Sequence, residues 1–274
     1  MDLSLIAGFV VLGAVVGFLA GLLGIGGGMT MVPLLTIVFG REGFAPEHVV
    51  HMALATATAT ILFTSISSAR EHHRHGAVLW RVVAALAPGI VVGSLAGPQF
   101  VGGMSTSALA AFFGIFVVVA ATQILLDRKP KPSRELPGRG GLFAVGGGIG
   151  LVSSMLGAGG AFLSVPFMIA CNVAMRNCIA TSAALGLPIA AAGTIGFVVA
   201  GLRATGLPPH AIGYVYVPAL LAIVAGSVIC APIGARAAHR WPVATLRRAF
   251  AGLLYALAAY MLWKSFQAWP AWQA

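Results

Sequence analysis

The chain has 274 residues, of which 59% are hydrophobic and only 8% are charged, and its mean hydropathy is +0.98. Soluble domains carry about 25% charged residues, so this composition excludes an ordinary soluble protein and indicates one embedded in the lipid bilayer. The net charge of +10 comes from Lys and Arg clustered between apolar runs. Such clusters set membrane orientation, so we expect no nucleic-acid partner.

The apolar runs are mostly about 20 residues long, which is the length that crosses a bilayer as a helix. The sequence therefore predicts an all-α membrane protein that forms a single transmembrane unit over residues 1–274. The eight runs are 3–39, 47–69, 77–100, 107–126, 142–173, 177–201, 211–235 and 244–268.

The first and fifth runs are too long for one crossing, and glycines interrupt both of them. A glycine inside a helix costs about 1 kcal/mol, so each run is predicted to be two helical pieces. In the first run we expect pieces near 4–22 and 29–40, joined by a turn at 24–28.

The glycine-rich interruption occurs twice in the chain, with each matched residue displaced by 133 positions, which indicates a duplication. The matched residues are Gly17, Leu23, Gly24, Gly26, Gly27, Val32 and Pro33, then Gly150, Leu156, Gly157, Gly159, Gly160, Val165 and Pro166.

The basic residues favour this broken arrangement over eight plain spans. It places thirteen of the sixteen Lys and Arg on one side, with Arg41, Arg203 and Lys264 opposite, whereas eight plain spans divide them ten to six. Because cytoplasmic loops concentrate Lys and Arg, we predict two inverted repeats, 1–126 and 142–274, joined by a cytoplasmic linker at 127–141, with both termini periplasmic. Full return crossings, up to ten in all, and re-entrant hairpins fit the charge equally well.

Each interruption is a candidate anion site, because a helix beginning near Met29 or Ala161 would direct unpaired N–H groups into the break. No Lys or Arg lies in the middle of an apolar run, so dipoles and hydroxyls would have to hold an anion. The Ala-Thr pair at 55–56 recurs at 180–181, which adds matched hydroxyls. The glycines could instead serve only close helix packing, and this alternative stays open. The candidate anion-binding residues are Gly26, Gly27, Gly28, Met29, Thr30, Thr56, Gly159, Gly160, Ala161, Phe162, Thr181 and Ser182.

Other chemistry has little support in the sequence. The first glycine cluster is not followed by the Lys-Ser/Thr pair of a phosphate-binding loop. Paired carboxylates and nucleophile–base pairs are missing from the apolar runs, so we expect no enzyme activity, no cofactor and no metal site. Glu47, His48 and His51 allow a proton-linked role, although a solvated helix end is the favoured interpretation.

The motifs GLLGIGGGMTMVPLL, ILFTSISSAR, GAVLW and GLVSSMLGAGGAFLSVP resemble those of the TauE/SafE family of sulfite exporters, over about residues 5–265. The resemblance implies a multi-pass carrier of small anions in the bacterial inner membrane, with sulfite, sulfonates and small organic carboxylates as substrates. An anion channel is the alternative mechanism. The family is usually described as eight spans, so the inverted arrangement departs from that description. The anion, the transport direction, the coupling ion and the oligomeric state, a homodimer included, stay open.

Overall fold

The computed structural model describes residues 3–23, 27–126, 135–238 and 243–268. Within these residues the chain forms ten helices and one short β-hairpin. The elements are α1 (Leu3–Leu23), α2 (Gly28–Arg41), α3 (Val49–Arg74), α4 (Trp80–Gly102), α5 (Thr106–Leu126), α6 (Arg139–Met155), α7 (Ala161–Ala170), α8 (Met175–Gly201), β1 (Ala211–Ile212), β2 (Val215–Tyr216), α9 (Val217–Ala238) and α10 (Val243–Ala268).

Both long apolar runs are divided, as predicted. The first break separates α1 from α2, which begins at Gly28, and the second break, residues 156–160, separates α6 from α7, which begins at Ala161. Among the described residues, five helices are long and apolar enough to cross a membrane: α3, α4, α5, α8 and the Arg248–Ala268 part of α10. The prediction of an all-α membrane protein is confirmed.

Two boundaries differ from the prediction. The run at 211–235 does not begin as a helix, because β1 and β2 form a hairpin around Gly213, whose φ of 55° suits a tight turn. Helix α9 starts only at Val217, followed by a proline in its first turn, where a missing N–H costs least. Of the predicted linker, residues 127–134 lie outside the described residues, and α6 already begins at Arg139.

Contacts between helix termini define two ends of the bundle. At the first end, the start of α3 meets the end of α4 and the start of α5, where Thr106 Oγ1 donates to the Glu47 carbonyl. The Ser107 hydroxyl donates to the Ser265 carbonyl at 2.8 Å, which adds the end of α10. At the second end, the Asn177 side chain donates to the Ala77 carbonyl at 2.9 Å, which joins the start of α8 to the loop before α4.

The two broken segments enter the bundle from opposite ends. The Phe9 ring in α1 lies 6.0 Å from Phe39 near the end of α2 and 6.2 Å from Tyr216, so the α1–α2 hairpin opens at the first end. Helix α6 runs parallel to α4, which starts at the second end, and α7 returns to the start of α8. The α6–α7 hairpin therefore opens at the second end.

Glycines let the first arm of each hairpin pack closely on another helix. A Cβ on Gly13 or Gly17 of α1 would overlap the backbone of α9, and a Cβ on Gly89 of α4 or Gly146 of α6 would overlap the facing helix. Small residues permit such close backbone approach in membrane bundles. These helical glycines therefore serve close helix packing. The role of the glycines within the two breaks is a separate question.

Candidate functional site

The two breaks contact each other in the interior of the bundle. A Cβ on Gly28 would overlap the Gly157 carbonyl oxygen and would lie 3.0 Å from Ile61 Cδ1 on α3. A Cβ on Gly157 would in turn lie 3.1 Å from Val32 Cγ2 and 3.2 Å from the Leu54 carbonyl oxygen. Ile61 is twelve residues into α3, about 18 Å from its start. The start of α2 and the end of α6 therefore meet near half-depth.

The second break is a tight double turn built on glycine. Gly157 has φ 58°, and the Ala158 N–H donates to the Ser153 carbonyl at 3.0 Å, which caps the end of α6. Gly160 has φ 76° and precedes α7. The Leu163 and Ser164 N–H groups both donate to the Gly160 carbonyl. The N–H groups of Ala161 and Phe162, the first two residues of α7, have no acceptor within their own helix, as at any helix start.

The first break uses ordinary backbone geometry where it is described. Gly27 has φ −69° and ψ −2°, and its carbonyl accepts from the Thr30 and Met31 N–H groups and from the Thr30 hydroxyl at 2.9 Å. Gly28 and Met29 occupy the first helical positions, where N–H groups lack an acceptor in their own helix. The candidate residue Gly26 lies outside the described residues.

The two helix starts differ in exposure. Met29 and Thr30 are buried, with 4% and 2% of their surface exposed. Ala161 and Phe162 are only half-buried, and the Phe162 ring contacts Phe116 of α5 at a centroid distance of 5.3 Å. The start of α7 is therefore the more accessible of the two.

The hydroxyls of the matched threonines, Thr56 and Thr181, accept equivalent hydrogen bonds from backbone N–H groups. The Thr56 hydroxyl on α3 accepts from the Tyr216 N–H at 3.1 Å, and the Thr181 hydroxyl on α8 accepts from the Leu79 N–H at 3.0 Å. Tyr216 directly precedes α9 and Leu79 directly precedes α4. Each hydroxyl thus fixes the start of a helix that belongs to the other half. Their predicted role in orienting an anion stays a prediction.

Ser182, the remaining candidate hydroxyl, lies between the second broken segment and α8. It is buried, and its hydroxyl accepts a hydrogen bond from Ser164 of α7 at 2.8 Å. This bond ties the second turn of α7 to α8. Ser182 therefore supports α7 directly.

A small crevice opens beside the first break, and the hydroxyls that line it are absent from the predicted set. Thr60, Thr64 and Ser227 supply them, and each donates to a carbonyl of its own helix at 2.9 to 3.2 Å. Such bonds are the usual state of hydroxyls in apolar helices. The threonine series of α3 contains the signal for this lining, but only the fold reveals which members face the break. The other lining residues are Val16, Gly17, Gly27, Gly28, Met31 and Ile61.

No cationic side chain within the described part of the chain lies at either break. Every described arginine side chain is exposed. Lys264 is half-buried, but its Nζ lies 3.7 Å from the Cβ position of Gly40, at the opposite end of α2 from the break. Positive potential at the breaks can therefore come only from backbone dipoles among the described groups.

His51 corrects one expectation about the start of α3. It is only 3% exposed, so it does not belong to a solvated helix end. Its Nε2 lies 3.0 Å from the Val101 carbonyl oxygen and 3.1 Å from that of Met104, and its ring stacks on Tyr214. His51 therefore joins α3 to the end of α4. Over the residues that the structure describes, no group of three His, Cys, Asp or Glu side chains could hold a metal ion.

Comparison with known proteins finds related membrane transporters. The family model described as "Sulfite exporter TauE/SafE" matches residues 9–261. A "Probable membrane transporter protein" of Haemophilus influenzae is 36% identical over 254 residues, covering 92% of this chain and 96% of the relative. The "Probable membrane transporter protein YdhB" of Bacillus subtilis is 26% identical over 247 residues, covering 85% and 90%. No solved structure matches the chain. With a family match over nearly its whole length, this multi-pass membrane protein belongs to the TauE/SafE sulfite exporter family of membrane transporters.

Proposed function

We propose that the protein is a secondary transporter that moves small anions, sulfite or organosulfur anions such as sulfonates, across the bacterial inner membrane, and that it has no catalytic step. The observation that carries this proposal is the meeting of two interrupted helices in the interior, where Gly28 faces the Gly157 carbonyl. Broken helices that meet near the midplane are how many secondary transporters bind their substrates.

The binding chemistry follows from the helix starts. Helices α2 and α7 each begin at a break, and a helix start carries about half a positive charge together with unpaired N–H donors. These donors suit an oxyanion and require no buried cation. A small carboxylate presents similar oxygens, so small organic acids are a second substrate class that the same donors could bind.

The orientation of the hairpins supports an inverted-repeat transporter with both termini periplasmic. The α1–α2 hairpin opens at the first end, with Arg41, Arg203 and Lys264, and the α6–α7 hairpin opens at the second end. The arginines of the second end whose side chains are described are Arg70, Arg74, Arg81, Arg139, Arg176 and Arg248. Because cytoplasmic loops concentrate Lys and Arg, the second end is assigned to the cytoplasm. In cells, a cysteine at position 203 should react with an impermeant maleimide and one at 176 should not; the reverse labelling would contradict the orientation.

Counterflow in proteoliposomes tests the transport proposal. Vesicles preloaded with unlabelled sulfite should accumulate labelled sulfite transiently above equilibrium, with saturable dependence on concentration. An anion channel would give flux without such accumulation, and vesicles that match protein-free controls for sulfite, methanesulfonate and acetate would refute anion transport altogether.

A further inference from the structure

The hydroxyl of Ser153 is buried at the second break and lacks a hydrogen-bond partner among the described residues. Ser153 lies in the last turn of α6 and is 2% exposed. The adjacent Ser154 is equally buried, but its hydroxyl donates to the Leu151 carbonyl at 3.0 Å. A buried hydroxyl without a partner is costly and rare in folded proteins, so Ser153 calls for an explanation beyond packing.

Ser153 faces the start of α7. Its Oγ lies 3.3 Å from the position that a Cβ on Gly160 would occupy, so the hydroxyl is directly beside the glycine that precedes α7. The Ala161 and Phe162 N–H groups begin α7 directly after Gly160, and both residues are half-buried. The Ser153 hydroxyl and these two amide donors therefore lie around one place, Gly160.

The other neighbours of this place are apolar. Around the Cβ position of Gly160 lie Ile149 Cγ2 at 3.6 Å and, still closer, Ile189 Cδ1, and neither side chain can titrate or carry charge. The helix start supplies about half a positive charge and no described cation adds to it. That charge offsets about half of a single negative charge but only about a quarter of a double one, so a doubly charged anion would be desolvated with much less compensation.

We propose that the second break binds a singly charged oxyanion, with the Ser153 hydroxyl donating to one oxygen and the Ala161 and Phe162 N–H groups donating to the others. This inference rests on the proposed function and deepens it, because it names the donor set and the charge of the substrate. Bisulfite, a sulfonate and a small carboxylate belong to this class; the sulfite dianion does not.

Equilibrium binding to the purified full-length protein tests the donor set, with methanesulfonate as a probe that keeps a single charge. Ser153→Ala should weaken methanesulfonate binding about tenfold, the loss expected for a hydrogen bond to a charged group. The melting temperature should not fall, because the variant removes an unpaired buried hydroxyl. Ser153→Cys, similar in size but a weak donor, should lose affinity comparably. Ser154→Ala is the matched control and should bind as the wild type does.

The charge of the substrate is tested by pH. Sulfite changes from the monoanion to the dianion near neutral pH, so its apparent affinity should fall from mildly acidic to mildly alkaline solution, while that of methanesulfonate stays constant. Tighter sulfite binding in alkali would overturn the single-charge assignment. Wild-type binding that Ser153→Ala and Ser153→Cys leave unchanged would overturn the donor set alone. A wild-type protein that binds none of these anions would overturn the proposed function as well.

Discussion

The two breaks share a sequence motif but differ in construction. At the first break, the described glycines have ordinary backbone angles, the start of α2 is buried, and the neighbouring hydroxyls donate to their own helices. At the second break, Gly157 and Gly160 adopt left-handed angles, the start of α7 is half-exposed, and the Ser153 hydroxyl has no partner among the described residues.

This difference in construction suggests that the two breaks have different roles, although their sequence motifs are alike. The start of α2 is buried, which suits a fixed point against which the second break is held. The second break offers a buried hydroxyl without a partner among the described residues and a half-exposed helix start, which suits substrate binding. The comparison therefore predicts that substitutions at the first break act mainly on stability and that those at the second act mainly on anion affinity.

The largest effect is expected where the two breaks touch. Gly28→Val would drive a side chain into the Gly157 carbonyl, which is backbone and cannot move aside. Overpacking of this kind costs about 3 kcal/mol, occasionally more, so the melting temperature in detergent should drop strongly. Gly8→Val in α1 is the control, because nothing lies within 4 Å of its Cβ position. Equal stability of the two variants would show that the breaks do not touch.

The next largest loss of stability is expected from substitutions of the paired threonines, Thr56 and Thr181. Thr56→Val and Thr181→Val each remove the acceptor for a backbone N–H, and an unpaired buried donor costs about 1–3 kcal/mol. Thr56→Val should lower the melting temperature more, because its bond to the Tyr216 N–H is buried and the Leu79 bond is only partly so. Thr36→Val, which loses only a bond within its own helix, is the control and should change least.

A smaller difference in stability is expected between alanine variants of the two glycines that precede α2 and α7, Gly27 and Gly160. Gly160→Ala imposes a left-handed angle on a residue with a Cβ, at about 1–2 kcal/mol, and displaces Ile189 Cδ1. Gly27→Ala imposes no such strain, and an alanine at a helix N-cap costs below about 1 kcal/mol. Thermal unfolding of the two variants side by side measures the difference. Equal loss would contradict the asymmetry of the breaks.

The smallest effect is predicted for the crevice beside the first break. Thr60→Val and Ser227→Ala remove hydroxyls that already donate within their own helices, so methanesulfonate affinity should change by less than about threefold. The comparison with Ser153→Ala is direct when all three are titrated under the same conditions. A larger loss in the Thr60 or Ser227 variant would move the binding site to the first break.

The division of both long apolar runs into two helices could be predicted from the sequence. The cost of glycine inside a helix and the length of an apolar run are both local properties of the chain. The boundaries at Gly28 and Ala161 follow from them. The hairpin before α9 was missed because its residues are as apolar as a helix start, and only a turn at Gly213 distinguishes them. The partner of Thr56 and the surroundings of Ser153 depend on which helices face each other, and no local pattern encodes that.

The most direct test is to locate a heavy-atom analogue of the substrate. In crystals grown with selenite, the anomalous selenium signal should lie beside Ser153 Oγ and the Ala161 and Phe162 N–H groups. A signal beside an arginine, or at a place remote from both breaks, would contradict the account of anion binding by interrupted helices.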